Sequence, residues 1–136
     1  MGLVKIKELG KLAKQAGEEL RYASSQKKDE VLEGVIKAIT KNKKKIIQEN
    51  KKDLIYAKNR NLSESMIDRL SLNSQRLDSI VKSLEDIIEL PDPVGQSIAE
   101  FSRPNGLLIN KVRTPLGVVG VIFESRPNVL IDAGAL

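Results

Sequence analysis

The 136-residue chain contains no cysteine, no histidine and no tryptophan. Without cysteine there is no disulfide framework, no thiolate nucleophile and no thiolate metal site. Without histidine there is no imidazole base and no imidazole-bound zinc or iron, so no metal site is expected. Acid–base chemistry would fall to carboxylates, lysines or the two tyrosines, Tyr22 and Tyr56. The chain by itself is a poor candidate for a complete enzyme. Aromatic side chains are limited to those tyrosines, Phe101 and Phe123, which calls for an aliphatic core. No apolar run approaches the roughly 18–20 residues of a membrane span, so no membrane partner is expected. Met1-Gly2-Leu3-Val4 is followed by charges every few residues, which leaves no signal-peptide core and points to the cytoplasm.

What is present suits a soluble globular chain of one domain: 40% hydrophobic and 30% charged residues. The formal net charge is +5, and it is unevenly spread. Residues 1–60 carry 16 basic and 8 acidic side chains, residues 61–136 carry 7 and 10. The densest basic run is Lys41, Lys43, Lys44, Lys45, Lys51 and Lys52. Clustered lysines can bind a phosphate backbone by releasing its counterions. Here Glu49 and Asp53 interleave at helical spacing and no aromatic platform accompanies them, so a solvated helix face is the better reading and no nucleic-acid partner is expected. The alternative for the whole chain is a non-catalytic, lysine-rich helical module that binds acidic partners through residues 41–52.

Residues 3–24 place Leu9, Leu12, Ala13, Ala16, Leu20 and Ala23 on one helical stripe. Gly10 and Gly17 each cost about 1 kcal/mol against alanine in a helix interior, so this helix should rely on packing. After Ser24-Ser25, a cap for the next helix, Val31, Leu32, Val35, Ile36 and Ile39 make a second stripe. It resumes with Ile46, Ile47, Leu54 and Ala57, and a kink is expected near Asn42. Ser63 can cap a short helix ending at Leu70 by accepting from the Met66 N–H. Asn73 or Ser74 opens a further helix with Leu77, Ile80, Val81, Leu84, Ile87 and Ile88 inward. Pro91-Asp92-Pro93 stops it, because proline cannot donate to the ladder.

Beyond Gly95 the period changes to that of strands. Phe101 and Leu107-Leu108-Ile109 flank a turn at Pro104-Asn105-Gly106, and residues 109–113 alternate as a half-exposed strand. After a turn at Pro115-Leu116-Gly117, Val118-Val119-Gly120-Val121-Ile122-Phe123 is apolar on both faces, as in a buried strand of a parallel sheet. Pro127 suits the first turn of a closing helix. Such a strand needs parallel neighbours joined by crossovers, and residues 118–136 are expected to be sandwiched by polypeptide this sequence does not contain.

The stretch Thr114-Pro-Leu-Gly-Val-Val-Gly-Val-Ile-Phe-Glu-Ser-Arg-Pro-Asn-Val129 closely resembles the signature of the gamma-glutamyl phosphate reductase (glutamate-5-semialdehyde dehydrogenase) family, within the aldehyde dehydrogenase superfamily. Asn50-Lys-Lys-Asp-Leu54, Leu62-Ser-Glu-Ser-Met-Ile-Asp-Arg-Leu70, Leu90-Pro-Asp-Pro-Val-Gly95 and Arg103-Pro-Asn-Gly106 extend the resemblance over essentially the whole chain. It implies an α/β fold: a helical region over 3–90, oligomerisation-type strands over 98–113, the first buried strand of a Rossmann-like domain over 117–124, and the start of a helix over 127–136. Residues 1–136 would then be the N-terminal part of the NADP-binding domain, about a third of the family's length. The implied reaction is NADPH-dependent reduction of L-glutamyl 5-phosphate to glutamate 5-semialdehyde and phosphate, in proline biosynthesis. A family cysteine thiolate attacks the acyl phosphate there, and that cysteine lies in a stretch absent from this sequence. A homo-oligomer is implied as well.

The resemblance makes Asn128 the candidate oxyanion donor, taking the place of the asparagine in the superfamily's Pro-Trp-Asn. A plain helix N-cap is the bland reading of the same residue. Phe123, Glu124 and Ser125 leave the C-terminal end of the expected strand, where ligands of open α/β sheets bind, and should border the dinucleotide. Phe123 could equally be core and the other two mere turn residues. Arg126 could hold a substrate carboxylate or phosphate through its planar fork, or tie down Glu124 or a loop this sequence does not contain. Gly117 and Gly120 are read as serving a turn and close strand packing.

Overall fold

In the computed structural model, which describes residues 3–136, the elements run α1 (Leu3–Leu20), α2 (Ser25–Asn59), α3 (Glu64–Leu70), α4 (Ser74–Glu89), β1 (Ser97–Ser102), β2 (Leu108–Val112) and α5 (Pro127–Ala135). Met1 and Gly2, the start of the segment tested for a signal sequence, lie outside the described residues. Two compact units result: one runs to Ser25 and resumes over Pro91–Gly120, the other comprises Gln26–Leu90 and Val121–Leu136.

The second unit is built on the stripes of α2 and α4. Ile39, Leu77, Ile80 and Leu84 are buried together, with Leu32, Val35, Ile36, Ile46, Ile47 and Val81 packed around them. These positions recur every three or four residues, so two helices bury one face each. The helix α2 continues unbroken through Asn42, whose Nδ2 donates to the Ala38 carbonyl at 2.8 Å. Its end is set by Asn61 at φ 55°, while the Leu62 N–H reaches back to Ala57 O and the Asn61 N–H to Lys58 O. That pairing satisfies carbonyls the helix would otherwise leave open, and asparagine tolerates the left-handed position.

Between the two long helices the caps fall where the sequence places them. Ser63 accepts from the Met66 N–H, and Asn73 accepts from the Arg76 N–H at 2.8 Å. The connection is also clamped from α2. Asn50, only 4% exposed, donates through Nδ2 to Leu70 O (2.9 Å) and accepts at Oδ1 from the Leu72 N–H (2.7 Å). Replacing Asn50 with leucine leaves both backbone groups unpaired, and should cost about 1–3 kcal/mol per orphaned group. Urea denaturation followed by circular dichroism checks this; an unchanged midpoint would show that water replaces the clamp.

In the other unit, β1 and β2 form a two-stranded antiparallel sheet pairing Ala99 with Lys111, Phe101 with Ile109 and Ser102 with Leu108. The turn is the expected one. Pro104 presets its φ, Gly106 adopts φ 82°, the Gly106 N–H donates to Arg103 O and the Arg103 N–H to Leu107 O. The strands carry large exposed apolar side chains, Phe101 and Leu108 among them.

Other expectations are corrected. The stripe of α1 is not packed away: Leu9, Leu12 and Leu20 stay exposed, the helix ends at Leu20 rather than 24, and among its described residues Ala13 and Gly17 alone are half-buried. A Cβ at Gly17 would lie 3.5 Å from Val118, at ordinary van der Waals distance. Residues 117–124 likewise form no strand, and Val119, Ile122 and Phe123 are exposed. A strand exists only as one rung of a ladder, and among the described residues the sheet stops at β2. Gly117 takes φ 93° but residues 113–123 contain no turn, and Gly120 faces open space rather than a closely packed neighbour.

Candidate functional site

The chain leaves its extended run through a sharp corner. Ser125 takes φ 52°, a region uncommon for a residue with a side chain, and Arg126 follows as the N-cap of α5. Pro127 occupies the first turn, where its missing N–H loses nothing. Asn128 is therefore already inside the helix, and its reading as the cap does not hold. Arg126 caps by backbone position alone, with no side-chain cap bond. The Asn128 amide nitrogen instead donates to Asp132 Oδ2 at 3.0 Å, one helical turn on. One amide N–H is thus anchored and the other is available for a ligand.

The corner meets α4 through the packing of Ile131 and Ala135 against the helical core. Between them opens a cleft of about 370 Å³. One wall is the end of α3 and its connection, with Asp68, Arg69, Ser71 and Leu72. The floor is one face of α4, at the helical spacing Arg76, Ser79, Ile80 and Ser83. The remaining wall is Arg126, Asn128 and Asp132.

The polar groups of this cleft differ in how far they are committed. Arg76 is fully engaged: it donates to Ser71 O at 2.8 Å and to Asp68 Oδ1 at 2.8 Å, and also reaches Asp68 O. It therefore finishes α3 by satisfying terminal carbonyls. The Ser79 and Ser83 hydroxyls donate back to the carbonyls of Gln75 and Ser79, which leaves their lone pairs facing outward. Arg69 and Arg126 are exposed and make no ion pair among the described residues. Asp132 is half-buried, with Oδ2 accepting from Asn128.

Of the residues singled out from sequence, Asn128 and Arg126 share this cleft, while Phe123, Glu124 and Ser125 are not among its lining. Phe123 is 46% exposed, so its reading as core is corrected: the strand that would bury it is not laddered. Arg126 makes no ion pair to Glu124 among the described residues, so the Glu124 half of that alternative falls. Arg69, Arg76, Asp68 and Asp132 were not singled out. Arg69 and Arg76 lie seven residues apart across a helix break, and some fifty residues from Arg126, so no local period marks them as neighbours.

Within the lysine-rich run, Lys43 is bonded to Asp78 of α4 and Lys52 to Glu49 at 2.8 Å. Among the described residues no group of three or more His, Cys, Asp or Glu could hold a metal ion, and no helix is long and apolar enough to cross a membrane.

Comparison with known proteins gives a consistent result. No protein-family model matches the chain. The gamma-glutamyl phosphate reductase of Brucella suis biovar 1 is 49% identical over 129 residues, 95% of this chain and 31% of that protein. The reductase of the same name from Geobacillus sp. is 42% identical over 134 residues, 98% of this chain and 32% of that protein. Among solved structures, the gamma-glutamyl phosphate reductase of Thermotoga maritima superposes with a TM-score of 0.91 at 37% identity, covering 95% of this chain and 31% of that one. The Saccharomyces cerevisiae enzyme of that name gives 0.90 at 33% identity, over 94% of this chain and 33% of that one. The chain spans about a third of the length of the relatives it matches, and its mixed α/β fold is that of their N-terminal part.

Proposed function

We propose, on the premise that this chain corresponds in sequence and fold to the N-terminal third of gamma-glutamyl phosphate reductases, that it serves the NADPH-dependent reduction of L-glutamyl 5-phosphate to glutamate 5-semialdehyde and phosphate, a step toward proline. The observation that carries this reading is Asn128: its amide is anchored by Asp132 at 3.0 Å on a helix start, in the same cleft as Arg126. A neutral donor held in place before reaction stabilises developing negative charge without reorganising. Asn128 donates its second amide N–H to the substrate carbonyl oxygen, and Arg126 holds a carboxylate or phosphate of the same molecule.

The corner before α5 fits one flank of a dinucleotide. Phe123 offers an exposed ring, Glu124 an exposed carboxylate able to accept from hydroxyls, and Ser125 a hydroxyl on a left-handed turn. NADPH, when bound, supplies the hydride; these three residues border it. The chain has no cysteine, so the nucleophile of the reaction comes from outside residues 1–136. Residues 1–136 are the N-terminal part of the NADP-binding domain, and they act in the cytoplasm. The β1–β2 sheet, apolar on its exposed surface, pairs with a second copy in a homo-oligomer, because an isolated hairpin is marginal by itself.

The pure 136-residue chain should show no phosphate-dependent reduction of NADP by glutamate 5-semialdehyde. The same chain joined to the C-terminal two thirds of the Geobacillus reductase should show it. Turnover by the pure chain would defeat the argument from the missing nucleophile, and a folded but inert joined enzyme would defeat the reductase reading.

A further inference from the structure

The cleft beside Asn128 carries charges of both signs that the fold does not use. Its basic groups are Arg69 and Arg126, neither of which makes an ion pair among the described residues. Arg76 is spent on Asp68 and on the end of α3. Its acidic group is Asp132, half-buried, with Oδ2 bonded to Asn128 and no donor to Oδ1 among the described residues. A ligand that is only an anion would set its charge against Asp132, and one that is only a cation would meet two guanidinium groups. Either mismatch sets like charges side by side, and Asp132, being half-buried, is the less screened of them. A ligand with an ammonium and a carboxylate on adjacent atoms satisfies both.

We propose that this cleft is an α-amino-acid subsite in which Asp132 Oδ1 accepts from the α-ammonium group while Arg69 and Arg126 donate to the α-carboxylate. The inference rests on the reductase reading for the identity of the amino acid, L-glutamyl, and it makes Asp132 the residue that selects an amino acid over a plain dicarboxylic acid. A partly desolvated carboxylate left facing an uncharged carbon discriminates strongly, since it loses its water and gains nothing. Asp132 then serves twice: Oδ2 holds Asn128 and Oδ1 holds the substrate beside it.

The test is a titration of the 136-residue chain with L-glutamate, glutarate and inorganic phosphate, followed by amide shifts in a ¹H–¹⁵N correlation spectrum. L-Glutamate should move the amides of residues 126–132 and those of Arg69 and Ser71. It should bind at least about tenfold more tightly than glutarate, which lacks only the ammonium group. The variant Asp132→Asn keeps an acceptor oxygen for Asn128 and removes the charge; it should bind glutamate and glutarate alike. Arg126→Gln should weaken both ligands and preserve their ratio. Absence of shifts at the cleft, glutarate or phosphate binding as tightly as L-glutamate, or a preference that survives Asp132→Asn would each overturn the assignment. Failure of the reductase reading looks different: the joined enzyme is inert while the glutamate titration stands. Failure of the subsite leaves the joined enzyme active, with an unchanged KM for glutamate 5-semialdehyde in Asp132→Asn.

Discussion

Replacing Asn128 with alanine in the joined enzyme should lower kcat by about 10²–10³, with little change in dinucleotide affinity. The loss corresponds to about 2.7–4 kcal/mol, the usual worth of one donor aimed at a developing oxyanion. Asn128 sits at the second position of α5, held by Asp132 rather than by substrate, so its truncation does not disturb the cap of the helix. Steady-state kinetics with glutamate 5-semialdehyde, alongside NADP binding measured by fluorescence, separates the two effects. An unchanged kcat would remove Asn128 from the mechanism. A fall in dinucleotide affinity of the same size as the fall in kcat would make it a structural residue.

Leu84→Ala should destabilise the helical unit by about 2–5 kcal/mol, as large-to-small substitutions in tight cores do. Leu84 is 1% exposed, and it shares its cluster with Ile39, Leu77 and Ile80. That cluster is small, so little else can absorb the cavity, and Ile131 and Ala135 of α5 lean on the same core. Urea denaturation monitored by helical circular dichroism measures the change. A loss below about 1 kcal/mol would mean that α2 and α4 close over the space.

Most of the helical architecture is legible in the chain because its causes are local. Ser63 and Asn73 cap α3 and α4 through side-chain bonds spanning three residues. Pro91 and Pro93 end the helical half by lacking a donor, and Pro104-Asn105-Gly106 turns the hairpin by backbone preference alone. The α4 stripe identified Leu77, Ile80 and Leu84 as inward, and all three are buried. The clamping role of Asn50 was not legible, because nothing in its neighbours marks one asparagine on a polar stretch as the partner of a backbone twenty residues away.

Alternation and apolarity identify what a segment is suited to, without identifying what it meets. Val118–Phe123 has the composition of a buried strand and lies open, since a strand is completed by its neighbours rather than by its own residues. The same limit applied to α1, whose stripe is real and uncovered. In the cleft the limit worked in the other direction. Arg126 and Asn128 were identified by the Arg-Pro-Asn motif, but Arg69 and Asp132 became their neighbours only when α4, α5 and the α3–α4 connection at Leu72 packed on one core.

The linear order of residues by itself determined the helix periods, their caps and stops, the hairpin turn and the absence of a thiolate, because each depends on bonds or omissions within a few positions. Tertiary structure alone decided which charges stand together around Asn128, which of them are already paired, and which apolar faces are covered. Those depend on distances through space, and Coulomb interactions and burial follow separation in three dimensions rather than along the chain.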